Sequence, residues 1–149
     1  MKIALVIGES FNPSDFGDAS TFEGALRQFK ASGKTLLKWL KLTHHDAWEK
    51  FDSLNIRNRS GETIQHEALQ KQIARYRVIV LVGRLAERRV LGSIRSEVPY
   101  RIDSLGRQVF YVLPHPSGRN RLLNDKAVRE KCFSMGKAIV NSILLRRGM

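Results

Sequence analysis

The residues of this chain that could do chemistry are few and far apart. A carboxylate, Glu9, directly follows Gly8; an amide, Asn55, comes at the end of a short candidate strand; and an imidazole, His115, stands between Pro114 and Pro116, with Ser117, Arg119 and Arg121 just beyond. A carboxylate can hold a water and tolerate a developing oxocarbenium cation, as in glycoside chemistry. An amide presents a donor and an acceptor side by side, which suits the edge of a nucleobase. An imidazole can donate to an oxygen that turns anionic as a leaving group departs. Around a basic cleft, the three suit cleavage of a bond to a nucleobase. The plain alternative for His115 is a proline-rich turn with a solvent-facing ring.

Other candidate motifs fall away. Gly33-Lys34-Thr35 invites a phosphate-loop reading, but Gln28 stands where that motif needs a glycine and no strand leads into it. His44-His45 with Asp46 suggests a metal, yet adjacent residues on a helix or its end point apart, and no distant partner is evident; a solvated helix terminus is the simpler reading. Cys132 is the single cysteine. It excludes an intrachain disulfide framework and any cysteine-built zinc or iron–sulfur site, and its helical setting reads as a half-buried structural thiol. Asn58-Arg59-Ser60 matches a glycosylation sequon that has no meaning in a cytoplasmic chain.

For that chemistry, three turns must be brought together, and the rest of the chain must do it. With 149 residues, 42% of them apolar, a single domain over 1–149 with its own core is expected. Lys and Arg number 26 against 14 acidic residues, a net charge of +12 that attracts polyanions and favours salt-sensitive association with nucleic acid. The basic residues are spread over the whole chain rather than gathered in an amphipathic anchor or polybasic tail, which disfavours a membrane partner. No apolar run approaches membrane-spanning length and the start is too short for a signal peptide, so a soluble cytoplasmic protein is expected.

Apolar periodicity places the elements. Lys2 to Ile7, Phe51 to Ile56, Val78 to Gly83 and Gln108 to Leu113 read as strands. Ser20-Thr21-Phe22-Glu23 reads as a capping box opening a helix to about Lys30. Lys34 to Leu42 reads as an amphipathic helix with Leu36, Leu37, Trp39 and Leu40 inward; Glu62 to Arg75 as another, with Ile64, Ala68, Leu69 and Ile73 on one face. A short helix spans about Leu85 to Leu91, Gly92 to Gly106 reads as irregular, and a long helix runs from Asn124 to Arg147 with Val128, Cys132, Met135, Ile139, Ile143 and Leu144 at helical spacing. Strands alternating with helices predict a parallel sheet covered on both faces, with the four strand ends on one edge: Gly8 to Asp15, Asn55 to Arg59, Gly83-Arg84 and His115 to Arg121. The prolines around His115 stop the last strand and hold the ring at its carboxyl end, where open α/β sheets place ligands.

In these segments the sequence resembles the uracil-DNA glycosylase superfamily. Gly8-Glu9-Ser10 with Pro13 looks like its Gly-Glu-x-Pro-Gly first motif, closest to the iron–sulfur-containing prokaryotic branch. Ala31-Ser32-Gly33 followed by Leu36, Leu37 and Leu40 resembles the segment after that motif. Ser53-Leu54-Asn55-Ile56-Arg57 resembles the strand that ends in the base-reading asparagine. Val80-Leu81-Val82-Gly83 resembles the third strand, and Leu113-Pro114-His115-Pro116-Ser117-Gly118 the His-Pro-Ser second motif. Order and spacing match from residue 2 to about 145.

The resemblance implies an α/β fold, a three-layer α/β/α sandwich with a central four-stranded parallel sheet. It also implies hydrolysis of the N-glycosidic bond of a flipped uracil or modified base in single- or double-stranded DNA. By position, Glu9 would place or activate water, ranked by the resemblance ahead of Asn12, Asp15 and Asp18 as alternative polar groups there; Asn55 would bind the base edge and His115 would stabilise the departing oxygen. Ser10 and Phe11 would line the base pocket, and Phe29 would cover the flipped base, with Phe22 and Phe11 as competitors for that place. Ser117, Gly118, Arg119, Asn120 and Arg121 would hold phosphate or flank the duplex, with Arg57 and Arg59 on the same basic rim. The branch's cluster cysteines are absent, so no cofactor and no metal are expected. No lysine stands out as a Schiff-base nucleophile, so a monofunctional enzyme without strand cleavage is expected; it is also expected to be a monomer. Its rivals are a non-catalytic DNA-binding or damage-sensing protein on the same scaffold and a nucleoside-processing α/β enzyme.

Overall fold

The computed structural model of the chain describes residues 3–7, 31–42, 51–55, 66–103, 107–116 and 120–147. Its elements are β1 (Ile3–Ile7), α1 (Ala31–Leu40), β2 (Phe51–Asn55), α2 (His66–Ile73), β3 (Val78–Val82), α3 (Arg84–Leu91), β4 (Tyr100–Asp103), β5 (Val109–Leu113), a 3₁₀ turn (Arg121–Asn124) and α4 (Lys126–Arg147). The helix expected from Ser20 to Lys30 and the His44-His45-Asp46 cluster lie outside the described residues.

The strands form one sheet in the order β2-β1-β3-β5-β4. β1 pairs parallel with β2 and β3, β3 pairs parallel with β5, and β4 runs antiparallel to β5. The sheet is therefore five-stranded and mixed rather than four-stranded and all parallel. The difference is β4, which forms in the stretch expected to be irregular. Tyr100-Arg101-Ile102-Asp103 alternates half-buried and exposed residues. That is the pattern of an edge strand with one solvated face.

Hydrophobic alternation along the central strands explains the layers. All five residues of β3 are buried, but they face two ways. Val78, Val80 and Val82 join Leu36, Trp39 and Leu40 of α1 and Cys132 and Ile139 of α4. Ile79 and Leu81 join Leu69 and Ile73 of α2, Ala86 and Val90 of α3, and Phe110 and Val112. Successive strand residues point to opposite faces, so a strand buried on both reads as an unbroken apolar run. Full burial of each such side chain is worth roughly 1.5–3 kcal/mol. Helices thus cover both faces, as expected.

Local corrections are small. Helix α1 starts at Ala31, ahead of the expected Lys34, and Ala68 on α2 is exposed rather than inward. Cys132 is fully rather than half buried. Helix α4 begins at Lys126 because Arg121–Asn124 is taken up by the 3₁₀ turn. Where α4 crosses α1 the backbones nearly touch: a Cβ on Gly136 would lie 1.9 Å from the Trp39 carbonyl oxygen. Among the described residues, no helix is long and apolar enough to cross a membrane.

Candidate active-site cleft

The register lines up four strand ends in one row. Ile7 pairs with Asn55 on one side and Val82 on the other, and Val82 pairs with Leu113. At the usual spacing of about 4.8 Å between strands, the row from Asn55 to Leu113 is about 14 Å wide. Antiparallel β4 enters at this edge, because its first residue, Tyr100, pairs with Val112. The sheet order reverses between β1 and β3, and such a switch point opens a crevice at the carboxyl ends of the strands.

A cleft of about 290 Å³ lies at the β3 and β5 end of this row, lined by residues including Gly83, Arg84, Glu87, Val98, His115, Asn120 and Leu122. Its volume sits at the lower end of the roughly 300–1,000 Å³ typical of small-molecule sites. Gly83 N–H donates to the Leu113 carbonyl at 2.9 Å, one step past the end of β3. This glycine has φ 89° and ψ 162°. Such a backbone conformation is almost confined to glycine. His115 packs over it, with Cδ2 3.5 Å from where a Gly83 Cβ would be.

His115 is held from several sides. Pro114 and Pro116, both buried, flank it. Asn120 Nδ2 donates to the His115 carbonyl at 2.9 Å, while Asn120 Oδ1 accepts from Leu122 N–H at 3.2 Å and caps the 3₁₀ turn. The Asn120 side chain, expected to flank DNA, is therefore spent on backbone and acts as a clamp on the histidine loop. Arg121, next to it, is exposed.

The wall opposite is built around a carboxylate that the sequence reading did not single out. Glu87 on α3 is 0% exposed. Its Oε2 accepts from the Arg95 backbone N–H at 3.0 Å and from the Tyr100 hydroxyl. Its Oε1 is buried with no hydrogen-bond partner among the described residues. Arg95 also lies over the Tyr100 ring, 4.7 Å from its centroid, and its carbonyl accepts from Arg84 Nη1 at 3.2 Å. Burial, and then the Glu87 carboxylate, hold the Tyr100 phenol above its ordinary range. The helix offered a signal: Ala86 and Val90 mark its inward face, and Glu87 lies three residues before Val90 on that same face.

Of the residues singled out from sequence, His115 and Asn120 meet at the cleft, and Asn55 ends its strand in the same row. Glu9, Ser10, Phe11, Phe29, Arg57, Arg59, Ser117, Gly118 and Arg119 lie outside the described residues. Cys132 belongs to the core beneath α1 and α4. Among the described residues, no three His, Cys, Asp or Glu side chains gather as metal ligands.

These features define an α/β protein with a cleft at the carboxyl edge of its sheet. Comparison with known families is more specific: the model of the uracil DNA glycosylase superfamily matches residues 5–135, and the chain belongs to that superfamily. No match is found among curated proteins.

Proposed function

We propose that the protein is a monofunctional DNA glycosylase that hydrolyses the N-glycosidic bond of a flipped uracil or modified base. The observation that carries this reading is the superfamily match laid over the row of strand ends, with His115 clamped at the cleft. In this reading His115 donates to the base oxygen that becomes anionic as the C1′–N bond breaks and its electron pair leaves with the base. Glu9, two residues beyond the end of β1, orients a water whose oxygen bonds to C1′ and whose proton the carboxylate takes. Asn55, in the same row, reads the base edge. Phe29, with Ser10 and Phe11, encloses the base.

Arg57, Arg59, Ser117 to Arg119 and exposed Arg121 meet the phosphates, in keeping with the net charge of +12. Asn120 serves by positioning His115 rather than by touching DNA.

The test is base release from oligonucleotides carrying uracil, 5-hydroxymethyluracil, hypoxanthine or a glucosylated base. Abasic sites that form with wild type and are lost in Glu9→Ala and His115→Ala are the expected result. Salt-dependent binding without release would replace this reading with a damage-sensing protein, and turnover of free nucleosides alone with a nucleoside enzyme.

A further inference from the structure

The buried carboxylate of Glu87 needs an explanation beyond packing. An acid that only stapled the loop from Arg95 to Tyr100 would turn both oxygens to donors. Here Oε2 takes both bonds and Oε1 takes none among the described residues. Leaving an acceptor of a fully buried carboxylate unsatisfied is costly, and such groups mark places where something else completes the shell. Glu87 lines the cleft that also holds His115.

We propose that the cleft is a subsite for a hydroxyl- or amino-bearing substituent of the flipped nucleotide, whose hydrogen is donated to Glu87 Oε1. This rests on the glycosylase reading and narrows its substrate class. A carboxylate accepts hydrogen bonds and repels lone pairs, so the subsite favours N–H and O–H groups and rejects phosphate and bare carbonyl oxygens. The chain's excess positive charge alone would suggest the opposite preference. Asn55 ends β2, two strands along the row from the β3 end that leads into Glu87's helix, so in this reading Glu87 meets a different side of the nucleotide from the edge that Asn55 reads. The group it meets is an extension of the nucleotide, on the base or on the sugar.

The experiment measures kcat/KM for base release from one oligonucleotide with 5-methyl-, 5-hydroxymethyl- or 5-aminomethyluracil at the target position, and with ribouridine against deoxyuridine. Release of the hydroxymethyl and aminomethyl bases about ten- to a hundredfold faster than the methyl base is expected, the worth of a hydrogen bond to a charged acceptor. Glu87→Gln keeps the shape but turns the free acceptor into a donor. It is expected to abolish the aminomethyl advantage, because an ammonium cannot accept a hydrogen bond. A preference for the ribo target that Glu87→Gln removes would place the donor on the sugar and still support the subsite.

Equal rates for all three uracils, with no ribo preference, would overturn the subsite and leave the glycosylase reading standing. If no oligonucleotide loses its base, the glycosylase reading fails. The subsite is then judged by the Glu87 carboxyl ¹³C resonance of wild-type protein: a shift with 5-hydroxymethyldeoxyuridine and none with thymidine supports it, and no shift with either ends it. The same resonance decides the matter if Glu87→Gln does not fold.

Discussion

Asn120 donates to the carbonyl of His115 at 2.9 Å and with its other side-chain atom caps the turn that follows. The two functions separate by substitution. Asn120→Asp keeps the capping acceptor but sets an oxygen against the His115 carbonyl in place of the donor, so it is expected to melt below wild type although its cap is intact. If His115 has the role proposed for it, base release should fall about tenfold or more, since a loosened group is a misplaced one. Asn120→Ala loses both functions and should also cost about 1–2 kcal/mol of stability. Thermal melts paired with base-release rates check this; equal rates in wild type and Asn120→Asp would end the clamp argument.

Gly136 gives a prediction that is independent of function. A methyl there would meet the Trp39 carbonyl oxygen at 1.9 Å and its carbon at 2.5 Å. Both are backbone atoms and cannot swing aside, so α4 must retreat from α1. Gly136→Ala, a change that usually stabilises a helix, should here cost about 1–3 kcal/mol. For a chain of this size that lowers Tm by about 3–10 °C. Urea denaturation should show a lower midpoint with an unchanged slope.

Elements with an unbroken or strongly periodic apolar pattern were readable from the chain: β3 and β5 as doubly covered strands, α1 and α4 by their helical spacing. β4 was not, because an edge strand carries one apolar face over four residues and its Arg101 and Asp103 look like loop. The short Gly106-containing connection to β5 was the available hairpin signal. His115 was legible because two prolines and an apolar run define where a strand must stop. Asn120's clamp depends on a 3₁₀ turn that apolar periodicity does not mark. Glu87 was hidden among Arg84, Arg88 and Arg89, which make it look like one more solvated charge although Ala86 and Val90 mark its face as inward. The expected grouping of Glu9, Asn55 and His115 rests on family resemblance and elementary chemistry together, not on periodicity, and Glu9 lies outside the described residues.

Gly83 separates backbone strain from steric contact. Its added Cβ would sit at an ordinary 3.5 Å from His115 Cδ2, but its φ of 89° with ψ of 162° is a poor conformation for any other residue. Gly83→Ala should therefore cost about 1–3 kcal/mol through the backbone and shift the ring that packs on it. Gly92, at φ 78° and ψ −2° with open space around it, caps α3 in the ordinary left-handed form. Gly92→Asn should cost little, since asparagine tolerates that region. Melting temperatures and the His115 imidazole NMR signals check the pair: Gly83→Ala should move both, and Gly92→Asn neither appreciably.

Cys132 makes the stability of the fold depend on alkaline pH. Packed among Trp39, Ile139 and the valines of β3, its thiol is pushed up to about 12 by burial alone. The unfolded chain has an ordinary thiol that ionises near 9.0. Between those values the folded state holds a proton that the unfolded state has lost, so folding takes up protons and stability falls as pH rises. The contribution is complete below about 9 and lost towards about 12. Tyr100, raised by burial and by Glu87, acts in the same direction at higher pH. Cys132→Ala should therefore have a flatter decline in urea midpoint from pH 9 upward than wild type. The wild-type thiol should also resist a disulfide reagent at pH 8 in the native state and react at once in denaturant. Rapid labelling of native protein would show that α4 leaves the sheet readily, contrary to the tight crossing at Gly136.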